Sequence, residues 1–140
     1  IFSGLWLDLG SIADEGLLIS PREVFIEIGK KWEEDLQKWV KLHSNMFVKL
    51  DEDQFLMAQN IINKFPKLVK INKTIPDADP FVIALAKSRG SWVVVTSENS
   101  SKNKFVPKIP DVCKSLNVKY IDLHNLLREC NFKYPRSTHI

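Results

Sequence analysis

The segment Trp92-Val93-Val94-Val95-Thr96 is an uninterrupted run rich in β-branched residues, set between Gly90 and a polar, lysine-bearing loop, Ser97–Lys108. Such a run suits a strand covered on both faces. Pro110 opens a short helix through Leu116, and Val118–Leu123 reads as a second strand. Strand, helix and strand within about 30 residues make a βαβ crossover, which forces the two strands to run parallel. The fold class is therefore α/β, helix-rich, with a parallel sheet flanked by helices. A stable parallel sheet normally has more than two strands. The chain opens on Ile1 rather than Met, and the expectation is that the missing first strand lies just ahead of it.

The rest of the chain reads as helices. Phe2, Leu5, Trp6, Leu9 and Ile12 recur at helical spacing, and Gly16 ends that helix. Ser20-Pro21-Arg22-Glu23 has the form of a capping box with proline at the first helical position, predicting a helix over Pro21–Ile28. A third helix is expected over Trp32–Leu42, with Trp32, Leu36, Trp39 and Val40 on one side. Met46–Leu50 reads as extended or loop. Asp51 starts a fourth helix with Phe55, Ile61, Ile62 and Phe65 inward, stopping near Pro66. Asp79-Pro80 reads as N-cap and first helical residue, leading through Ala84 and Ala86 to Gly90. Leu126–Cys130 forms a last turn or two. No linker interrupts the chain, so residues 1–134 form one domain and 135–140 (PRSTHI) a tail.

Composition narrows the function. At 140 residues the chain has room for one core. Apolar residues at 44% and charged residues at 26% exclude a disordered chain. The longest apolar runs, Phe81–Ala86 and Trp92–Val95, fall far short of the ~20 residues of a membrane helix, so no membrane partner is expected. Cys113 and Cys130 lack metal-ligand spacing, and His43, His124 and His139 are not grouped with them. Two reduced thiols fit a cytoplasmic protein. There is no GxGxxG, Walker loop, GxSxG or HExxH. Charge is uneven. Residues 1–70 carry nine basic and eleven acidic side chains, while residues 71–140 carry eleven basic and six acidic, a net of +5. A basic second half is compatible with a polyanion.

Carboxylates remain as candidate chemistry. In α/β folds ligands gather at the carboxyl ends of strands. Glu98 lies two residues past the strand ending at Thr96. Asp79 starts the helix descending from that edge, with Asp77 beside it, and Glu27 borders the apolar stripe of Val24 and Ile28. Clustered carboxylates suit hard divalent cations such as Mg²⁺ or Mn²⁺, whose retained waters can attack a phosphodiester. Each residue also has a plain reading: Asp79 as an N-cap, Glu27 as a surface acid, Glu98 as a loop acid and Thr96 as a strand residue. Lys102, Lys104 and Lys108 read either as a solvated loop or as phosphate contacts.

Two segments, "IPDADPFVIALAKSRGSWVVVTSE" and "LLISPREVFIEI", together with "KIPDVCKSLNVKYIDL", resemble the PIN domain, the nuclease fold of VapC-type toxins. The likeness is closest to an uncharacterised PIN-like family and covers roughly residues 4–130. It implies a metal-dependent endoribonuclease, the toxin of a toxin–antitoxin pair, leaving a 3′-hydroxyl and a 5′-phosphate. By matching position Glu27, Asp79 and Glu98 are the second, third and fourth acids around Mg²⁺ or Mn²⁺, and Asp77 is an accessory ligand. Thr96 orients the site, and Lys102, Lys104 and Lys108 hold RNA. The first acid is expected on the strand ahead of Ile1. The implied partners are RNA, an antitoxin protein and a second copy of the chain. Two alternatives stand beside this reading. One is a non-catalytic interaction protein with Trp6, Trp32 and Trp39 forming a surface rather than core. The other is a phosphohydrolase of small phosphoesters.

Overall fold

Gly16 adopts φ +76°, a conformation glycine takes without steric cost. It lets the Gly16 and Leu17 N–H groups donate back to Ala13 O (3.0 Å) and Ile12 O (2.9 Å), closing the first helix. The computed structural model describes residues 4–28, 33–69, 77–103 and 105–130. Helix α1 spans Gly4–Asp14, strand β1 Ser20–Pro21, α2 Arg22–Ile28, α3 Glu34–Leu42, β2 Phe47–Val48 and α4 Glu52–Lys64. The second half holds α5 (Asp79–Ser88), β3 (Val94–Val95), α6 (Ile109–Leu116), β4 (Tyr120–Ile121) and α7 (Leu123–Glu129). Trp32, Lys104 and the tail 135–140 lie outside the described residues.

Among the described residues the strands form two parallel pairs, β1 with β2 and β3 with β4, giving a mixed α/β architecture. The crossover β3–α6–β4 is the one expected, with Val94 opposite Tyr120 and Val95 opposite Ile121. Its strands are shorter than the apolar runs. Val93 is 39% exposed rather than covered on both faces. Leu123 already begins α7, because the Asp122 side chain accepts the Asn125 N–H at 2.8 Å and caps a helix there.

Two N-terminal signals resolve differently. Asp51 caps α4 as expected, its Oδ1 accepting the Gln54 N–H (2.8 Å) while Gln54 Oε1 accepts the Asp51 N–H (2.9 Å). Ser20 does not cap α2. Ser20 and Pro21 pair with Phe47 and Val48 as a strand, the helix begins at Arg22, and Glu23 Oε1 is buried without a hydrogen bond. Parallel pairing with β2 outweighed a local cap, and a ladder partner 27 positions away leaves no local signal. Asp79 likewise is the first helical residue of α5 rather than its cap, which is Ala78.

The core has two centres. One packs α4, α5, β3 and α6 through Ala58, Ile61, Ile83, Val94, Val112 and Cys113. Ile83 and Val112 are wholly buried, each worth about 1.5–3 kcal/mol relative to exposure. The other packs α1, α3 and Met46, with Leu126 of α7 against it. Trp39 is buried and meets Trp6 edge-on at 5.2 Å, its Nε1 donating to Trp6 O at 3.0 Å. These two tryptophans are core, not a docking surface. Phe55, expected inward, is 39% exposed and lies edge-on against Phe81. Cys113 and Cys130 are free and belong to different centres. Among the described residues no helix is long and apolar enough to cross a membrane.

Candidate functional site

Helices α5 and α6 each run back into a strand of the β3–β4 pair and pack against one another. The starts of both helices and the end of β3 therefore share one edge. A helix start carries unpaired N–H groups and partial positive charge, so acids placed there are stabilised. Both helices have them.

At α5 three of the sequence-predicted acids come together. Glu27, on α2, reaches across 51 positions so that its Oε2 accepts the Ala78 N–H at 3.1 Å. Asp77 is buried, and its Oδ1 accepts the Asp79 N–H at 3.2 Å. Asp79 itself lies half-buried in the first turn. The apolar border position of Glu27, read from Val24 and Ile28, is what directs it inward.

Thr96 and Glu98 form a second group. Thr96 is buried at the end of β3; its N–H donates to Ile121 O (3.0 Å) and its Oγ1 accepts the Glu98 N–H (3.1 Å). Glu98 is exposed, and its Oε1 accepts the Ile109 N–H at the start of α6 (3.4 Å). Its hydrogen bond thus leads to α6 and not to the three acids at α5. Lys102 and Lys108 are exposed on the connecting loop.

One residue that holds this edge escaped the sequence reading. Asp111 Oδ2 accepts the N–H groups of both Ser101 (2.8 Å) and Lys108 (2.9 Å), and Lys114 Nζ donates to Ser100 Oγ at 2.9 Å. Burial alone would raise the Asp111 carboxyl, but the Lys108 and Ser101 amides and the Lys114 charge outweigh it and hold it below the usual value. Its only signal was an acid in the first turn after Ile109-Pro110. A second missed acid, Asp8, is wholly buried in α1 between Leu7 and Leu9, where the apolar periodicity gives no hint of it.

Glu27, Asp77 and Asp79 offer oxygen donors alone, the chemistry that Mg²⁺ and Mn²⁺ take. Among the described residues no three acidic, histidine or cysteine side chains stand close enough to enclose an ion by themselves. The fit is thus one of donor type, with carboxylates at two neighbouring helix starts.

A family model described as a domain of unknown function (DUF4411) matches residues 1–134. No match was found among curated proteins, and none among solved structures.

Proposed function

The chain belongs to the DUF4411 family, a domain of unknown function, and on the resemblance of its segments to the PIN domain we propose that it is a PIN-type, Mg²⁺- or Mn²⁺-dependent endoribonuclease, a cytoplasmic toxin of a toxin–antitoxin pair. The observation that carries this reading is the reach of Glu27 to the Ala78 N–H, which sets it beside Asp77 and Asp79 at the start of α5. Acids this distant in sequence have no local reason to meet. Support also comes from the shared edge, where Thr96 and Glu98 end β3 close to the start of α6.

In this reading Glu27, Asp77, Asp79 and Glu98 would hold the cation, which would supply an activated water and offset charge on the scissile phosphate. The chain's own residues do the positioning. The Ala78 and Asp79 amides fix the rotamers of Glu27 and Asp77. Thr96 Oγ1 fixes the backbone at Glu98 and so the direction of its carboxylate. Asp111 closes the loop that carries Lys102 and Lys108, and in this reading their charge, with that of Lys104, would hold the RNA backbone. Hydrolysis would leave a 3′-hydroxyl and a 5′-phosphate.

Calorimetry with Mn²⁺ tests the reading, alongside degradation of a labelled RNA. The protein is expected to bind Mn²⁺, weakened about tenfold or more in Asp79→Asn and Glu27→Gln, a loss of at least ~1.4 kcal/mol. A protein that degrades no RNA with Mn²⁺, and whose metal affinity is unchanged by Asp79→Asn, would show the nuclease reading to be wrong.

A further inference from the structure

Phe105 stands on the loop between β3 and α6 and is 79% exposed, the most exposed large apolar side chain among the described residues. Its neighbour Val106 is exposed as well. Apolar surface left in water and rimmed by polar residues marks a place where something docks. The turn that carries the ring is tightly built. Asn103 Oδ1 accepts the Phe105 N–H at 3.0 Å, and Asn103 O accepts the Val106 N–H at 3.2 Å. Ser101 Oγ accepts the Asn103 N–H (3.1 Å) and donates to Asn103 O (3.0 Å). The Ser101 N–H is in turn held by Asp111 Oδ2 of α6. These bonds fix the turn with the ring outside. They use only the backbone of Phe105, so the turn itself has no need of an aromatic side chain.

Charge and position say what the ring fits. Residues 97–108 carry three lysines against one acid, Glu98. Lys102 and Lys108 are exposed on either side of the turn, and the ion pairs among the described residues use neither. The loop leaves β3 at Thr96 and Glu98 and returns at Ile109, so it borders the edge where the carboxylates gather. An exposed aromatic ring among cations is the arrangement that takes single-stranded nucleic acid: the cations meet phosphates, and the ring takes the face of an unstacked base. Bases inside a duplex are stacked on one another and offer no such face. One phenyl ring and one valine are also far smaller than the roughly 800 Å² that each side of a stable protein interface buries.

We propose that Phe105 is a stacking residue for one unpaired base of single-stranded RNA, with Lys102 and Lys108 on the flanking phosphates. The choice of RNA rests on the nuclease reading, but the stack needs no metal and no cleavage. Every base has a face to offer, so the contact selects strandedness rather than sequence.

The test is fluorescence anisotropy in EDTA with a labelled oligouridylate, single-stranded or annealed to oligoadenylate. Phe105→Ala is expected to weaken single-strand binding about tenfold, to leave duplex binding unchanged, and to leave Tm unchanged because the side chain is in solvent. Phe105→Trp is expected to restore the affinity. Salt dependence separates the roles. Lys102→Ala lowers the slope of log K against log salt by about 0.7, while Phe105→Ala leaves it unchanged, since stacking releases no counterion. Equal losses on single strand and duplex, no loss from Phe105→Ala, or no binding by the parent would overturn the stack. Self-association abolished by Phe105→Ala with RNA affinity intact would assign the ring to a protein contact and overturn it too. The nuclease reading fails separately: a protein that binds single strands through Phe105 in EDTA yet degrades no RNA with Mn²⁺ keeps the stack and loses the nuclease. Cleavage of dilute RNA with Mn²⁺ that Phe105→Ala leaves unchanged keeps the nuclease and overturns the stack.

Discussion

Replacing Glu27 with alanine removes the acceptor of the Ala78 N–H, and the structure sets the cost. Ala78 is 3% exposed and its N–H sits at a helix start, where no carbonyl of the helix can take it. A hydrogen bond to a charged acceptor contributes about 1.5–3 kcal/mol, and a buried donor left alone costs about 1–3 kcal/mol. These are two descriptions of one loss and are not summed. Glu27 is half-buried, and water entering behind the truncated side chain recovers part of the bond. The expected destabilisation of Glu27→Ala is therefore about 2 kcal/mol. For a domain of this size each kcal/mol lowers Tm by roughly 3–4 °C, giving a fall of roughly 6–8 °C. Glu27→Gln keeps an oxygen acceptor but loses the charge, which about halves the effect. Thermal unfolding followed by circular dichroism at pH 7 measures both, with urea titrations to check that the m-value is unchanged. A Glu27→Ala protein melting within 1 °C of the parent would refute the proposition that Glu27 braces α5, and with it the geometry on which the proposed metal site rests.

The loop at α6 gives a pH prediction. The Asp111 carboxyl is held below its ordinary value of 3.8, so its contribution is whole above about pH 4 and is lost as the pH falls through the folded-state value; the amides of Ser101 and Lys108 should exchange faster in acid relative to the rest of the chain, and Asp111→Asn should abolish that dependence. Cys113 is fully buried, and burial pushes its thiol up to about 11; iodoacetamide at pH 8 should label the half-buried Cys130 first, with Cys113 reacting only on unfolding, as mass spectrometry of peptides will show. A Cβ at Gly10 would sit 2.7 Å from His43 Nε2, while His43 Nδ1 is held by Asp14 Oδ1 at 2.9 Å and its ring lies against Trp39; Gly10→Ala should destabilise by about 1–3 kcal/mol and shift the His43 ring resonances in NMR spectra.

Periodicity located helices well because helical burial is a property of neighbouring residues. Leu9 and Ile12 of α1, Trp39 and Val40 of α3, and Ile83 to Ala86 of α5 are buried as their spacing implies. The crossover β3–α6–β4 was legible for the same reason, since Val93–Val95 and Pro110–Leu116 carry their signal within themselves. Strand β1 was not, and β2 showed only as the extended or loop segment Met46–Leu50. Each is two residues long, Pro21 in β1 has no N–H to offer a ladder, and what makes them strands is each other. Ser20 and Glu23 matched a capping box letter by letter, yet a cap is decided by backbone direction, which pairing with Phe47 had already set. Phe55 shows the converse limit. Its helical position was right, but α5 covers α4 on the side of Ala58 and Ile61, leaving Phe55 only the rim contact with Phe81.

The acids of the candidate site were legible for a different reason. Asp77, Asp79 and Glu98 each sit beside a helix start or a strand end, and such places attract carboxylates whatever the function, because unpaired N–H groups and the helix dipole stabilise them. Glu27 breaks the degeneracy. It does not serve its own helix; it lends its carboxylate to the start of another, 51 positions on. A purely structural brace at Ala78 could have come from Ser, Asn or Asp at the cap position, at the cost of one residue. Instead Ala78 occupies the cap, and the carboxylates of Glu27 and Asp77 accept N–H groups at the start of α5. Acids at a helix start are stabilised by its unpaired N–H groups and dipole, and a bound divalent cation would stabilise them further. Titrating Mn²⁺ against the Tm of the parent and of Asp79→Asn tests the proposed ion: held by these acids, it stabilises the parent by about 2.7 kcal/mol at one hundred times its Kd, while a fold in which the acids only brace the helix start does not respond.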